Sequence, residues 1–327
     1  MAYLGRVGTW VRRFIDMHLW VWPASTAVVL WLVASGISGH LSSRTLFINA
    51  SLAVFLALAG VAQMVIIMSG DGSFDLSLPY NITISALIST GVLGAAGPGR
   101  LSAILEALGA GLILGLCNGL LTALLKMPAL IASLATGYVV YSIILLLQVN
   151  QAAGASGVSA GLANFLQHQI DGASTVLLVG VVVAVVVHVT LTRTVYGRYL
   201  QAMGQSRPAA RLAGIGLNKM IVANFMVSGV LGAATGVILA AYDGGAFQNI
   251  GAPYLLGSVG AVVVGGNAVS GGRSSVAATM FGALVMTLLL TVLEISGLSA
   301  GYQDIIDGVA VISIVSLAKL SQAGASE

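Results

Sequence analysis

The stretch LFINASLAVFLALAGVAQMVIIMS, residues 46–69, decides the fold class because its 24 consecutive residues carry no charge. A helix needs about 20 mostly apolar residues to cross the hydrocarbon core of a bilayer. The whole chain has the same character, since 58% of its 327 residues are hydrophobic and only 7% are charged. A soluble domain carries about 25% charged residues. The composition therefore excludes a water-soluble globule and predicts an all-α, polytopic membrane protein.

The gaps between charged residues predict about ten transmembrane segments. The eighth segment is short and lies between glycine pairs, which indicates a broken or re-entrant helix, a form tolerated only where it lines a cavity. The polar stretch 150–172 is typical of an exposed loop. The ten segments are residues 22–39, 46–69, the interval between Asp75 and Arg100, 101–125, 127–149, 174–191, 220–241, 254–266, 274–295 and 302–317.

The basic residues are distributed unevenly between the two sides of these segments. With the N-terminus inside, eleven of the 13 Lys and Arg residues lie on the cytoplasmic side, and only Arg44 and Arg100 lie outside. Cytoplasmic loops of membrane proteins carry such an excess of positive charge. We therefore expect one transmembrane domain over residues 1–327, with both termini, the N-terminal segment 1–21 and the loop 192–219 in the cytoplasm.

Catalytic signatures are missing from the sequence. It has no Gly-Lys dipeptide and hence no Walker A loop, no HExxH motif, and no Cys or His pair at metal-ligand spacing. These absences predict that the chain is not an enzyme, has no catalytic residue or metal site, and does not hydrolyse ATP by itself.

The segment LTRTVYGRYLQAMGQSRPAARLAGIGLNK, residues 191–219, is the only long charged stretch. Pro208 suits the first turn of a helix and Gly214 suits its end, which predicts a short helix over residues 208–213. The positive-inside rule alone could explain the basic residues, but it does not explain a helix. A short, rigid, basic helix between two spans could instead fit a groove on a cytoplasmic partner.

Four blocks of the sequence resemble the permease subunits of ribose, xylose and galactoside ATP-binding-cassette (ABC) importers. They occur in the order of that family and cover most of the chain from residue 70 to 320. The blocks are FDLSLP (74–79), NGLLTALLKMPALIASLAT (118–136), GRYLQAMGQSRPAARLAGI (197–215) and VVVGGNAVSGGRSSVAATMFGAL (262–284).

This resemblance implies a permease of the bacterial inner membrane that dimerises with a second copy or a paralogue. It also implies two cytoplasmic ATPase subunits, which would bind ATP and Mg²⁺, and a periplasmic substrate-binding protein. The chain itself would need no cofactor and would bind no nucleic acid. The residues that the resemblance implies for coupling to the ATPase are Gly197, Arg198, Ala209, Ala210, Arg211 and Gly214.

Four of the six candidate residues for the translocation path lie in two similar segments, DGSFDLSLPY (71–80) and DGGAFQNIGAPY (243–254), and the other two are uncharged polar residues in or beside spans. The segments are five predicted spans apart and hence on opposite sides of the membrane, as an inverted repeat would place them. Asp75 could also be a helix cap, and uncharged polar residues within spans could simply tie helices together. The path candidates are Asp75, Asn81, Asn118, Phe247, Gln248 and Asn249.

The expected function is transport of a sugar or sugar-like polyol by an ABC importer. Leu78 and Pro79 depart from the family pattern after the Asp-Leu-Ser motif, and Pro128 to Leu130 and Ala135 depart in the second block, which leaves the cargo open. The alternatives are the same machinery with a nucleoside, a branched-chain amino acid or a signalling furanose as cargo, or an autonomous secondary carrier.

Overall fold

The computed structural model describes residues 19–39, 43–91, 101–149, 160–170, 173–299 and six residues between 301 and 309. Twelve helices are assigned within these ranges. They are α1 (Val21–Ser38), α2 (Ser43–Met68), α3 (Leu78–Ser89), α4 (Leu101–Ala123), α5 (Ala129–Val149), α6 (Ala160–Gln167), α7 (Thr175–Arg193), α8 (Val195–Gln205), α9 (Arg207–Leu212), α10 (Leu217–Asp243), α11 (Tyr254–Val264) and α12 (Val276–Ile295). The strands in these ranges, β1 (Gln169–Ile170) and β2 (Ala173–Ser174), form a two-residue antiparallel pair.

Seven helices of the described part are long and apolar enough to cross a membrane, namely α1, α2, α4, α5, α7, α10 and α12. Each coincides with a span predicted from the charge gaps, to within a few residues at its ends. The all-α, polytopic class is therefore confirmed. The predicted tenth segment, 302–317, lies mostly outside the described residues, as do Arg100 and the segment 1–18.

Two predicted segments differ in part from the structure. Between Asp75 and Arg100, where the third span was predicted, the helix of the described part, α3, has only 12 residues and ends before Gly91, which has φ +76°; residues 92–100 lie outside the described part. The stretch 150–172 is not only a loop, because α6 lies within it. Leu162 and Leu166, four residues apart, place two side chains on one face of α6, where they pack against the main core.

Helix α2 forms the centre of the bundle. Of its most apolar 18 residues, 94% are buried, and the helix contacts α7, α10, α11 and α12. In α1, α4, α5 and α7, a third or less of the most apolar 18 residues are buried. Their outer surfaces carry exposed leucine, isoleucine and valine side chains, as expected of surfaces that face lipid or another apolar helix.

Seven basic residues mark one end of the bundle, which we call the basic end. This end comprises the turns 69–77, 124–128 and 265–275 and the segment 193–219. Gly272 N donates to Met68 O at 3.0 Å, and Asp71, Lys126 and Arg207 line one cavity of about 440 Å³. The opposite end includes Asn49, which accepts from Thr291 Oγ1, and Ser51, whose Oγ accepts from Ser174 N at 3.3 Å. Lys126, Arg193, Arg198, Arg207, Arg211, Lys219 and Arg273 belong to the basic end.

Two spans each consist of a series of turns and a short helix, and they run in opposite directions. The first leaves the basic end as the turn 69–77 and continues as α3. The second leaves the opposite end at Asp243, continues through residues 244–253 and becomes α11, which returns to the basic end. The two cross where Gly251 N donates to Thr83 Oγ1 at 3.1 Å. A Cβ on Gly251 would lie 2.0 Å from Pro79 O, so only glycine permits this approach.

The helices α2, α3 and α4 correspond to α10, α11 and α12. In each unit a helix of 26 or 27 residues precedes a helix of 12 or 11 residues and then a helix of 23 or 20 residues. Contacts between the units match as well, because α10 packs against α3 and α4 whereas α2 packs against α11 and α12. This exchange of partners, together with the opposite directions of the broken spans, supports the predicted inverted repeat.

Candidate functional site

The short helix predicted in the loop 191–219 is present and begins one residue earlier than predicted. Ser206 caps it, since its Oγ accepts from Ala209 N at 3.3 Å, and Pro208 occupies the first turn. Gly214, with φ +80°, follows its end. We call residues Ser206–Gly214 the knob, because this segment projects from the basic end.

The surface of the knob is mostly exposed. Of the six residues implied for coupling, Gly197 and Ala210 are buried: a Cβ on Gly197 would lie 1.9 Å from Leu191 O. Leu212 is 90% exposed at the C-terminal end of α9, which the sequence analysis did not single out. The Leu212 side chain is therefore accessible to a partner that approaches the basic end. The four coupling candidates that are exposed are Arg198, Ala209, Arg211 and Gly214.

The knob is joined to both broken spans at their basic ends. Gly204, in the last turn of α8, lies so close to its neighbours that an added Cβ would be 2.0 Å from Met68 O and 2.4 Å from Gly272 N. Met68 ends α2 just before the first broken span, and Gly272 belongs to the turn after α11. We call this contact of Gly204 with Met68 and Gly272 the junction. Helix α8 is therefore in direct backbone contact with the segments that adjoin both spans.

An ion pair reinforces the junction. Arg207 Nη1 lies 2.5 Å from Asp71 Oδ2, and Arg207 Nη2 donates to Ser69 O at 3.4 Å. This pair was not predicted, because the two residues are 136 positions apart in the sequence and nothing in the local pattern links them. On the other side of α8, Tyr196 OH donates to Asn224 Oδ1 at 2.8 Å. Burial raises the pKa of the Tyr196 hydroxyl, so this donor keeps its proton at physiological pH.

Asp75 lies in a buried polar network at the start of the first broken span. Its Oδ1 accepts from Ser77 N at 3.0 Å and Ser77 Oγ at 2.5 Å, and its Oδ2 accepts from Ser228 Oγ at 3.1 Å. The bond from Ser77 N forms a local turn before α3, whose N-cap residue is Ser77 itself. With its side-chain amide in the orientation that satisfies both groups, Gln63 donates to Asp75 O and accepts from Asp75 N, both at 3.2 Å.

Asn118 and Asn81 extend this polar interior. Asn118 Nδ2 donates to Ser77 Oγ at 2.8 Å, and Asn118 Oδ1 accepts from Thr136 Oγ1. Asn81 Nδ2 donates to Gly229 O at 2.8 Å. Both asparagine side chains are buried, as is Asp75. The structure thus brings three path candidates together as ties between α3, α4, α5 and α10 that satisfy the backbone and side chains at the break.

The other path candidates lie at the crossing of the two broken spans. Gln248 and Asn249 line a small cavity of about 80 Å³, whereas Phe247 is outside its lining and largely exposed. Tyr80 forms an aromatic cluster there with two residues of α5, its ring centroid lying 5.6 Å from that of Tyr141 and 5.9 Å from that of Tyr138. The remaining lining residues are Pro79, Tyr80, Thr83, Tyr141, Ala252 and Leu255.

These tyrosines were not among the residues predicted from the sequence. Tyr138 and Tyr141 stand three positions apart in an otherwise apolar predicted span, and Tyr80 follows the Asp-Leu-Ser motif. The spacing of three was a usable signal, since it places Tyr138 and Tyr141 on one face of a helix. What the sequence could not supply was the contact of this face with Tyr80 and with residues 248–249.

The sequence matches the family described as "Branched-chain amino acid transport system / permease component" over residues 26–315. It is 29% identical to the fructose import permease protein of Rhizobium meliloti over 89% of this chain and 82% of that protein. It is 30% identical to the ribose import permease protein of Bacillus subtilis over 75% and 76% of the two chains.

A third relative is the autoinducer 2 import system permease protein of Escherichia coli K12, with 27% identity over 90% of this chain and 91% of that protein. No solved structure matches the chain significantly. The family match covers most of the chain, including both broken spans, the knob and the aromatic cluster. The chain therefore belongs to this family of transport permease components, and it is a multi-pass membrane protein.

Proposed function

We propose that the chain is the membrane subunit of an ATP-driven importer that carries a sugar or a sugar-like polyol across a bacterial inner membrane. It would act with cytoplasmic ATPase subunits, which bind ATP and Mg²⁺, with a periplasmic binding protein that delivers cargo, and with a second permease copy or paralogue. The chain itself would catalyse no reaction and hold no cofactor. In this arrangement the basic end faces the cytoplasm, in keeping with the positive-inside rule.

The knob is the observation that carries this proposal. A secondary carrier has no need of a rigid helix that projects from its basic end, but a subunit driven by a separate ATPase needs a surface that receives force. The knob offers Leu212 and Arg211 to such a partner. It is also fixed to the bundle by the junction and by the pair between Arg207 and Asp71. Arg198, Ala209 and Gly214 would add to the contact surface, and Gly197 and Ala210 would hold its shape.

The relatives support a sugar as cargo. Those named above import fructose, ribose and autoinducer 2. The family description refers to branched-chain amino acids, whose ammonium and carboxylate groups need charged or strongly polar partners. The cavity at the crossing has no charged lining residue. A neutral, polyhydroxylated cargo therefore fits it better than a zwitterion.

The geometry supports transport by alternating access. ATP binding would move the ATPase subunits, and the knob would transmit that movement through the junction to both broken spans. Since these spans cross at Gly251 and Thr83, a shift of either would change the opening beside them. Asp75, Asn81 and Asn118 would keep the break rigid, so that the spans move as units.

ATPase stimulation tests the proposal directly. The full chain is co-expressed with candidate ATPase and binding proteins and purified in nanodiscs, and ATP hydrolysis is measured with each binding protein, with and without fructose or ribose. Stimulation by one sugar-loaded binding protein supports the importer. Solute uptake by the chain alone in vesicles, with no ATPase retained on purification, would favour a secondary carrier and refute the proposal.

A further inference from the structure

We propose that Tyr80, Tyr141, Gln248 and Asn249 form a contact site for the cargo at mid-membrane, selective for a neutral, polyhydroxylated ring. The inference deepens the proposed function and rests on it for the identity of the cargo as a transported solute. It assigns the specificity of transport to the aromatic cluster rather than to the buried network around Asp75.

The depth of the cluster argues against a lipid-facing role. Helix α5 has 21 residues, so it is about 31 Å long, and Tyr138 and Tyr141 lie about 14 and 18 Å from its beginning at the basic end. Tyrosines that face lipid concentrate at the two membrane interfaces, not midway between them. Irregular backbone such as residues 244–253 is also tolerated at this depth only beside protein or a water-filled path.

The chemistry of the cluster matches a sugar ring. A sugar combines apolar C–H faces with hydroxyl groups that both donate and accept hydrogen bonds. Tyrosine rings offer apolar faces with a polar tip. Gln248 and Asn249 each offer two donors and an acceptor, and Thr83 already uses its hydroxyl as the acceptor for Gly251 N. The lining contains no charge that would require an ionic cargo.

The volume of the cavity is typical of a transient contact site rather than of a pocket that encloses its ligand. About 80 Å³ accommodates part of a ring against one wall, whereas pockets that enclose small molecules tightly occupy about 300–1,000 Å³. A path must hold its cargo weakly enough to release it. The site should therefore bind neutral sugars in the millimolar range and discriminate by shape and hydrogen bonding.

Protection of an introduced cysteine from a thiol reagent tests the site on the chain alone. Cys117 is exposed and is the only cysteine, so Cys117→Ala gives a cysteine-free background. In nanodiscs, Gln248→Cys in this background is exposed to a charged, water-soluble methanethiosulfonate. We expect labelling, and we expect millimolar D-fructose, D-ribose or myo-inositol to slow it several-fold while leucine does not. Val139→Cys is the matched control, since it lies on the outward apolar face of α5 at the same depth and should resist the reagent.

A second change separates stacking from simple occlusion. Adding Tyr141→Ala should raise the sugar concentration needed for protection about tenfold, whereas Tyr141→Phe should preserve protection. No labelling at position 248, protection by leucine, or no protection by any of the three polyols would each overturn the inference. Failure of the proposed function would show elsewhere, as loss of ATPase binding in the complex, and the two failures are therefore distinguishable.

Discussion

Gly204→Ala should uncouple the knob from the broken spans. The added Cβ would lie 2.0 Å from Met68 O and 2.4 Å from Gly272 N, whereas real Cβ atoms essentially never approach within 3.0 Å. The backbones must therefore separate by about 1 Å, since both obstructing atoms belong to the main chain and no rotamer change can relieve the contact. Overpacking of this kind costs about 1–3 kcal/mol. Loss of the adjacent hydrogen bond from Gly272 N to Met68 O would add about 1 kcal/mol.

The assay compares stability with coupling in nanodiscs. Gly204→Ala should lower the Tm of the purified chain and reduce the number of sugar molecules carried per ATP hydrolysed. Gly109→Ala is the control, because Gly109 is also helical but has no atom within 4 Å of an added Cβ. Alanine at that position should be neutral or stabilising by about 0.5–1 kcal/mol. If Gly204→Ala kept both the wild-type Tm and the wild-type transport ratio, the junction would have no mechanical role.

Three further substitutions test other parts of the structure. Leu212→Asp should leave the Tm unchanged, because the side chain is 90% exposed, but weaken ATPase retention on a purification column about tenfold, equivalent to about 1.4 kcal/mol; full retention would exclude Leu212 from the interface. Arg207→Asp should lower the free energy of unfolding by about 1 kcal/mol or less, since the pair with Asp71 is partly exposed. Adding Asp71→Arg should restore part of this loss in a double-mutant cycle measured by thermal unfolding, and additive effects would contradict the pairing. Asp75→Leu should lower the free energy of unfolding by about 3 kcal/mol, because buried donors such as Ser228 Oγ would lose their acceptor, whereas Asp75→Asn should lower it far less. Equal losses for the two variants in thermal unfolding would argue against the network.

The sequence predicted most of the span positions because burial in a bilayer imposes a simple rule on composition. Long apolar segments such as residues 46–69 can only be spans, and Ser206, Pro208 and Gly214 give enough local information to place the short helix. The break in the third segment was not predicted, for a physical reason. The residues that precede α3 form turns, and a gap between charges cannot distinguish an uncharged turn from a helix.

The candidate sites were predicted less completely because they depend on contacts between distant residues. Gly204 looks like any other glycine until Met68 and Gly272 are placed beside it. Tyr80 and Tyr141 likewise form a cluster only when α3 and α5 pack together. Asp75 was recognised from its motif, but its position beneath the surface, bonded to Ser228 of α10, required the fold.

The two broken spans also constrain how the protein is synthesised and inserted. Helices α3 and α11 have 12 and 11 residues, too few to span a bilayer by themselves, and the turns that precede them carry polar backbone into it. Leu76 N finds its acceptor on Ser133 of α5, and Gly251 N finds its acceptor on Thr83 of α3, so each donor depends on another span. We therefore expect the first broken span to reach its final position in the membrane only after α5 has been synthesised, and the second broken span to pack against the first. Truncation after α4 should then leave residues 69–91 accessible to water-soluble reagents, whereas truncation after α5 should protect them.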